Sequence, residues 1–423
     1  MLFNPPVAWY QGVQYKMNPT LGLPILAAVL NVAGHDCEVV DLEALGYTPE
    51  RFGQAWAGQK DRWPDVVGFT ALSSQARGAR ESIAAIRQAG YTGKVAVGGV
   101  HATLAPEEVA SWPGVDLVVR GECEGDVAAL LQHHTGVWLG TALPIEQIPA
   151  PDWSRHNPAI TTYQGNYPML TPPQSISMWT RGCPHKCIFC ANEVFGRQPI
   201  RYRPPANVAA EMADLKARHV KSVFVYDDEL LGLKAPDGWW QEIAERVGPL
   251  GLVWKGQGRC SERHVTPEVL AHAYQAGGRV LMWGVESFSQ AVLDANKKGT
   301  RLTDIWTTLR RAKAAGLRNW VFSMVGMYGE TDEDAALTCE GLRAAYAEGL
   351  VDYRQTTVCT VVPGTELHRL AVKEGWYTPA PESGPQMHQA YQNTPWMSAE
   401  RIGYWVRKFD EVCPVGAAGK VAA

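Results

Sequence analysis

The chain has 423 residues, of which 46% are hydrophobic and 19% are charged. This length suits two or three domains with buried cores, and the composition argues against a disordered chain. The formal net charge of −4 offers no basic surface for nucleic acid or anionic lipid. No stretch approaches the roughly 20 apolar residues of a membrane span, and the first residues lack the pattern of a signal peptide. We therefore expect a cytoplasmic enzyme that binds neither nucleic acid nor a membrane.

Residues 1–143 alternate between short apolar runs and helical stretches. Such alternation predicts a doubly wound, Rossmann-like domain, in which helices cover both faces of a parallel sheet. Ligands of such sheets bind beyond the carboxyl ends of the strands. After a strand at the N-terminus, the predicted strands are Glu38–Asp41, Asp65–Phe69, Lys94–Val97 and Asp116–Val119, and the predicted helices are Leu21–Ala33, Ser74–Gln88 and Pro106–Ser111.

Residues 144–174 are rich in proline and polar residues and are predicted to form an interdomain linker. A second alternating series over residues 175–370 predicts a partial (β/α)6 barrel of the TIM type. Residues 371–423 form a C-terminal extension, in which an apolar stripe from Ile402 to Val412 predicts a final docked helix. The predicted barrel strands are Ser175–Thr180, Ser222–Tyr226, Leu252–Gln257, Val280–Gly284, Trp320–Val325 and Thr356–Val361.

Three of the nine cysteines, Cys183, Cys187 and Cys190, stand within eight residues as Cys-x3-Cys-x2-Cys. Three thiolates at this spacing can converge on one metal centre. A zinc site normally adds a fourth Cys or His, and His185 reaches that position only with strain. A cubane iron–sulfur cluster with three protein ligands leaves one iron open for a substrate or cofactor. The bunch follows the first barrel strand, at the end where barrel active sites gather, and it predicts a metal site.

The three cysteines, with Phe189 before the last of them, resemble the signature of radical S-adenosylmethionine (SAM) enzymes. In that family the amino and carboxyl groups of SAM chelate the fourth iron of a [4Fe–4S] cluster. One electron then cleaves SAM to methionine and a 5′-deoxyadenosyl radical, which abstracts a hydrogen atom from the substrate.

The resemblance also implies a SAM site at the ends of later barrel strands. By this resemblance, the acidic residues 227–229 after the second strand contact the SAM amino group. The motif Gly-x-Glu-Ser after the fourth strand contacts the ribose, and Gly326 after the fifth strand lies under the adenine. Arg259 suits either the SAM carboxylate or a surface salt bridge. The implied SAM-binding residues are Phe189, Asp227, Asp228, Glu229, Arg259, Gly284, Glu286, Ser287 and Gly326.

The first domain resembles the cobalamin-binding domain of cobalamin-dependent radical SAM enzymes, on the strength of three turns that follow its predicted strands. Paired glycines in such turns allow the backbone to approach a flat corrin closely. The Asp-x-His-x-x-Gly motif that supplies an axial histidine in cobalamin mutases is absent from the sequence, so the resemblance implies cobalamin with no histidine on cobalt. The implied cobalamin-binding residues are Thr70, Leu72, Gly98, Gly99, Val100, His101, Gly121 and Glu122.

The combined resemblance implies an enzyme that uses a [4Fe–4S] cluster, SAM and cobalamin to methylate an unactivated carbon of a small-molecule substrate. It also implies an electron donor such as flavodoxin or ferredoxin. Three alternatives stay open: a cobalamin-assisted radical cyclase or rearrangement enzyme, a radical SAM enzyme whose first domain is empty, and a non-catalytic metal- and tetrapyrrole-binding sensor.

Overall fold

A computed structural model of the chain describes residues 1–7, 18–165, 169–195, 198–379 and 390–414. Two parallel sheets with intervening helices organise these residues, which confirms the predicted α/β fold class. None of the helices in the described residues combines the length and apolar character that crossing a bilayer requires.

The first sheet has seven parallel strands in the spatial order β6-β5-β4-β3-β1-β2-β7. The strands are β1 Leu2–Asn4, β2 Val39–Asp41, β3 Val66–Thr70, β4 Lys94–Gly98, β5 Leu117–Arg120, β6 Gly136–Leu139 and β7 His156–Asn157. The helices are α1 Gly22–Val32, α2 Pro49–Ala57, α3 Ala76–Gln88, α4 Val100–Leu104, α5 Pro106–Ala110 and α6 Val127–His133. Because the chain runs outward from β1 in both directions, the switch point where ligands of such sheets bind lies between β1 and β3.

The two outermost strands of this sheet were not predicted from the sequence. The strand β6 is exposed along its whole length, and β7 is a two-residue strand within residues 144–174 that pairs with β2. Both edge strands lack the buried apolar run that marks a central strand of a parallel sheet. The helix α2, which Thr48 caps and Pro49 begins, was also not predicted.

The second sheet is a half-barrel of six parallel strands that lie side by side in chain order. A short antiparallel pair, β9 Thr180–Arg181 with β10 Arg201–Tyr202, follows its first strand. The barrel strands are β8 Gln174–Ser177, β11 Ser222–Val225, β12 Val253–Arg259, β13 Gly278–Glu286, β14 Arg318–Val325 and β15 Tyr353–Val358. The helices are α7 Pro205–Ala217, α8 Trp239–Val247, α9 Pro267–Gln275, α10 Gln290–Ala295, α11 Leu302–Ala314, α12 Asp332–Ala347, α13 Glu366–Lys373 and α14 Ala399–Val412.

Alternate residues of the barrel strands face the helices or the interior of the half-barrel. On β14, Val321 and Val325 join the main core beneath the helices, whereas Trp320 joins a separate apolar cluster with Met282. The docked C-terminal helix is confirmed as α14, which starts at the cap Ser398 and buries its apolar stripe in the main core.

Candidate functional site

The three bunched cysteines follow β9 in one loop, which the structure describes over residues 182–195 and 198–200 and which the β9–β10 pair closes at its base. The loop follows β8 and therefore stands at the carboxyl end of the half-barrel. Its middle is fixed by two backbone hydrogen bonds: Ile188 N donates to Asn296 O at 3.2 Å, and Leu367 N donates to Ile188 O at 2.9 Å. Phe189 packs against the apolar cluster that contains Ile188. The loop is thus tied to two separate segments of the barrel.

The thiol of Cys187 is buried, and those of Cys183 and Cys190 are half-buried. Burial, with smaller contributions from the nearby Glu229 and Cys190, raises the pKa of Cys183 to about 11. Burial likewise raises the pKa of Cys190, and Cys187 adds to this effect. Thiols of this kind ionise readily only when a metal ion compensates the charge. Three soft sulfur donors in one loop fit a cubane iron–sulfur cluster.

His185 lies in the same loop, between the first two cysteines. One of its ring nitrogens, the sulfur of Cys183 and a carboxylate oxygen of Glu229 lie within 4.8 Å of one another. Burial and the charge of Arg259 lower the pKa of His185 to about 4, so the ring is neutral at pH 7. This second donor set suits zinc, whereas the three-cysteine set suits an iron–sulfur cluster.

Arg259 and Glu229 connect the cysteine loop to the ends of β11 and β12. The guanidinium of Arg259 donates to the sulfur of Cys187 at 3.1 Å, and its backbone N–H donates to Glu229 at 3.0 Å. Arg259 is only 6% exposed, so the alternative of a surface salt bridge for this residue was wrong. Its Nε atom is buried and lies 4.0 Å from a carboxylate oxygen of Glu229, and it makes no hydrogen bond within the part of the chain that the structure describes. Arg259 therefore retains one donor for a molecule bound beside the cysteines.

Glu286 at the end of β13 faces a buried lysine that sequence reasoning missed. The register of β13 shifts between Gly284 and Glu286, and Glu286 adopts a left-handed backbone with φ +62°. This turn brings its carboxylate to 2.8 Å from Lys298 Nζ. A Cβ atom on Gly284 would lie 2.7 Å from that carboxylate and 2.8 Å from Nζ, so a larger residue there would displace the ends of both side chains. Burial lowers the pKa of Lys298, but the charge and hydrogen bond of Glu286, together with Cys187, hold that pKa above its ordinary value.

Three further implied SAM-binding residues, Asp227, Ser287 and Gly326, also form hydrogen bonds within the protein. The carboxylate of Asp227 accepts hydrogen bonds from Trp179 N at 2.9 Å and Thr180 N at 2.8 Å. Ser287 is fully buried, and its hydroxyl lies 2.8 Å from that of Thr338. These two side chains hold the scaffold, so we do not carry their SAM-binding roles forward. The backbone N–H of the third, Gly326, donates to the buried carboxylate of Glu330. Asp228, the remaining acidic residue of that group, is exposed.

The implied cobalamin-binding turns follow β3, β4 and β5, at the carboxyl edge of the first sheet. Gly99 has φ +95°, and a Cβ atom there would lie 2.7 Å from Thr70 Oγ1 and 3.0 Å from Ala71 N. Leu72 exposes 48% of its surface at the same edge. Close-packed turns with one exposed apolar side chain fit a large flat ligand such as a corrin.

His101 and Glu122 contact protein groups at this edge. The ring of His101 is buried, stacks on Trp112 and lies 3.2 Å from Ser73 Oγ. It is therefore not a solvated loop histidine. The carboxylate of Glu122 accepts hydrogen bonds from Arg181 at 2.8 Å and from Arg201 at 3.0 Å. Glu122 thus points toward the β9–β10 pair, and the carboxyl edges of the two sheets meet there.

Comparison with known proteins finds the same two parts of the chain. The family model of the B12 binding domain matches residues 14–131, and that of the radical SAM superfamily matches residues 177–342. An uncharacterized methyltransferase of Pyrococcus horikoshii is 27% identical over 385 residues, which cover 84% of this chain and 78% of the relative. The cytidylyl-2-hydroxyethylphosphonate methyltransferase of Streptomyces wedmorensis is 22% identical over 449 residues, covering 90% of this chain and 82% of the relative.

The fold matches a solved radical SAM methyltransferase, TsrM of Kitasatospora setae, whose structure holds cobalamin and a [4Fe–4S] cluster. The TM-score is 0.68 at 17% identity, covering 90% of this chain and 76% of that one. The two matched family models together cover more than half of the chain. The chain belongs to the cobalamin-dependent radical SAM enzymes. Its cofactors are a [4Fe–4S] cluster, SAM and cobalamin, and it is an enzyme rather than a non-catalytic sensor.

Proposed function

We propose that this enzyme is a methyltransferase that adds a methyl group to an unactivated carbon of a small molecule. The relatives from Pyrococcus horikoshii and Streptomyces wedmorensis, both methyltransferases by name, support this reaction class. The observation that carries the proposal is the meeting of the two carboxyl edges. The turns around Gly99 and Gly121 stand on one side, and the cysteine loop stands on the other. A methyl carrier and a radical generator must face one substrate from adjacent positions.

When bound, the cluster and SAM supply a radical that removes a hydrogen atom from the substrate, and cobalamin supplies the methyl group. Cys183, Cys187 and Cys190 hold the irons. The hydrogen bond from Arg259 to the sulfur of Cys187 withdraws charge from that ligand, which raises the reduction potential of a cluster bound there.

Two buried cations and one buried carboxylate beside the cysteines match the functional groups of SAM. Arg259 and Lys298 suit its carboxylate, since charge-assisted hydrogen bonds are strong in a site shielded from water. Glu286 suits the vicinal hydroxyls of its ribose. We retain Phe189, Glu229, Gly284 and Gly326 as neighbours of this SAM site.

The interior of the half-barrel is the place that we assign to the substrate. Tyr226 at the end of β11 is 57% exposed, and Gln257, Phe322 and Gln355 are partly exposed on the inner face. Aromatic rings and amide groups together bind planar molecules that also form hydrogen bonds. A flat, hydrogen-bonding small molecule is the substrate class that these walls favour.

We further propose that residues 1–143 bind cobalamin and residues 175–370 bind the cluster and SAM, with residues 371–423 as an extension. Flavodoxin or ferredoxin delivers the electron. The cytoplasm is the proposed compartment, because thiolate-ligated iron persists where thiols stay reduced.

Anaerobic turnover with methyl-deuterated SAM, a chemical reductant, hydroxocobalamin and an extract of small metabolites tests the reaction class. We expect one product that carries the deuterated methyl group, together with 5′-deoxyadenosine and S-adenosylhomocysteine. Release of 5′-deoxyadenosine with altered but unlabelled product would favour the cyclase or rearrangement alternative. If neither nucleoside forms, the methyltransferase proposal is wrong.

The isosteric change Glu286→Gln is expected to weaken SAM binding. A hydrogen bond to a charged group contributes about 1.5–3 kcal/mol, so we expect the dissociation constant of SAM to rise by about ten- to hundredfold. Equilibrium binding to the reconstituted protein measures the change, with iron content as the check on cluster loading. In the control, Glu242→Gln removes an exposed carboxylate that pairs with Arg246 on α8. Unchanged SAM affinity in Glu286→Gln would remove Glu286 from the site.

A further inference from the structure

A network of four charged residues joins the loop after β5 to the two ends of the cysteine loop. One oxygen of Glu122 lies 2.8 Å from Arg181 Nη1 and 3.0 Å from Arg201 Nη1. The other oxygen accepts from Nη2 of Arg201 at 2.5 Å, which makes that contact bidentate. Glu124 adds a contact of 2.7 Å to Arg181 Nη1. The network therefore joins the first sheet to the β9–β10 pair.

The two arginines occupy the base of the cysteine loop. Arg181 is two residues before Cys183, and it is the register partner of Arg201 in the β9–β10 pair. A movement of this pair must therefore move the loop that carries the three cysteines. Glu122 directly follows Gly121, which was implied in cobalamin binding. The network thus links the immediate neighbours of both proposed cofactor sites.

The charged network is largely buried, so its residues hold a more fixed geometry than an exposed surface salt bridge would. The side chain of Arg181 is 16% exposed and that of Glu124 only 8%. Burial raises the pKa of Glu122, but the two arginines outweigh it and hold that pKa below its ordinary value. The planar guanidinium of Arg201 meets the carboxylate of Glu122 with both nitrogens, which fixes direction as well as distance. Parts of one chain joined by a polar interface move relative to each other by default, unless such contacts hold them.

We propose that Glu122, Glu124, Arg181 and Arg201 are positioning residues that set the distance between cobalamin and the iron–sulfur cluster. The inference rests on the proposed function in that both cofactors must be bound. Glu122 then acts through the β9–β10 pair and not by contact with the corrin, which corrects its implied role. The network orders the two sites for one reaction, and it takes no part in the chemistry.

Pulsed electron paramagnetic resonance on the reconstituted full chain tests this proposal. Reduced cluster and cob(II)alamin each carry one unpaired electron, so their dipolar coupling reports the distance between them. In Arg201→Gln we expect wild-type iron and corrin contents but a broader and shifted distance distribution. Glu122→Gln, which keeps the side-chain shape, should give the same broadening. This variant replaces Arg201→Gln in the test if the arginine variant does not fold.

The matched control is Glu348→Gln, which breaks the exposed pair between Arg310 on α11 and Glu348, the residue that directly follows α12. This variant should retain the wild-type distance distribution. A merely structural role of the network would lower the melting temperature of Arg201→Gln and leave the distribution unchanged, and that result would overturn the proposal. If the wild-type protein gives no cluster signal or no cobalt signal, the proposed function itself fails, and this inference fails with it.

Discussion

The variant Cys187→Ala should lose the iron–sulfur cluster completely. Cys187 is the buried member of the three cysteines, and its sulfur is the one that accepts the hydrogen bond from Arg259. Two thiolates do not replace the three that a cubane with one open iron requires. We expect no bound iron and sulfide above background after anaerobic reconstitution, and no 5′-deoxyadenosine when reductant and SAM are added.

Cys339→Ala provides the matched control for this loss. Cys339 is also a buried cysteine, but it lies on α12 within the main core. Its removal should leave iron and sulfide contents at the wild-type level. Full iron content in Cys187→Ala would contradict the three-cysteine site. Stoichiometric zinc in that variant would instead assign the loop to Cys183, His185 and Glu229.

The variant Gly99→Val should lose cobalamin and retain the cluster. Gly99 has φ +95° and ψ −171°, a backbone conformation that is essentially restricted to glycine. Its new Cβ would also lie 2.7 Å from the hydroxyl of Thr70. The strain costs about 1–3 kcal/mol where the turn must keep its shape. We expect the turn to move, corrin absorption to disappear from the purified protein, and iron content to persist.

Gly58→Ala tests whether any glycine substitution in the first domain has this effect. Gly58 has φ −75°, and a Cβ atom there would make only ordinary contacts, the shortest 3.5 Å from Ala55 O. The control should bind cobalamin as the wild type does. Normal corrin content in Gly99→Val would refute the placement of the corrin at this turn. Gly98, beside it, is a weaker test, because a Cβ at that position meets only Val119 O at 3.7 Å.

Much of the fold could be predicted because its signals are local. The central strands of the first sheet are largely buried, so they appear as short apolar runs such as Val66–Thr70 and Lys94–Gly98. The helix starts at Thr266 and Thr331 are marked by side chains that cap the backbone three residues later. The strand β7 has only two residues and no apolar run, and β6 does contain a short apolar run but is exposed at the edge of the sheet.

The residues of the candidate site likewise fall into those that local sequence patterns reveal and those that they do not. Cys183, Cys187 and Cys190 are close in sequence, so their spacing alone indicated one metal centre. Glu286 was found because Gly284-x-Glu286-Ser287, at the end of the predicted strand Val280–Gly284, resembles the family's ribose-contacting motif. Its partner Lys298 was missed because a lysine in a polar loop is ordinarily solvated. Asp227 had the expected position, but the structure turns its carboxylate toward Trp179 and Thr180.

The sequence by itself determined the class of fold, the three-cysteine centre and the family resemblance, since each rests on residues that are neighbours along the chain. Only the tertiary structure decided which charges meet. Lys298 joins Glu286 across 12 residues, and Arg201 joins Glu122 across 79. Such pairs depend on strand order and on the contact between the two sheets, which local spacing does not encode.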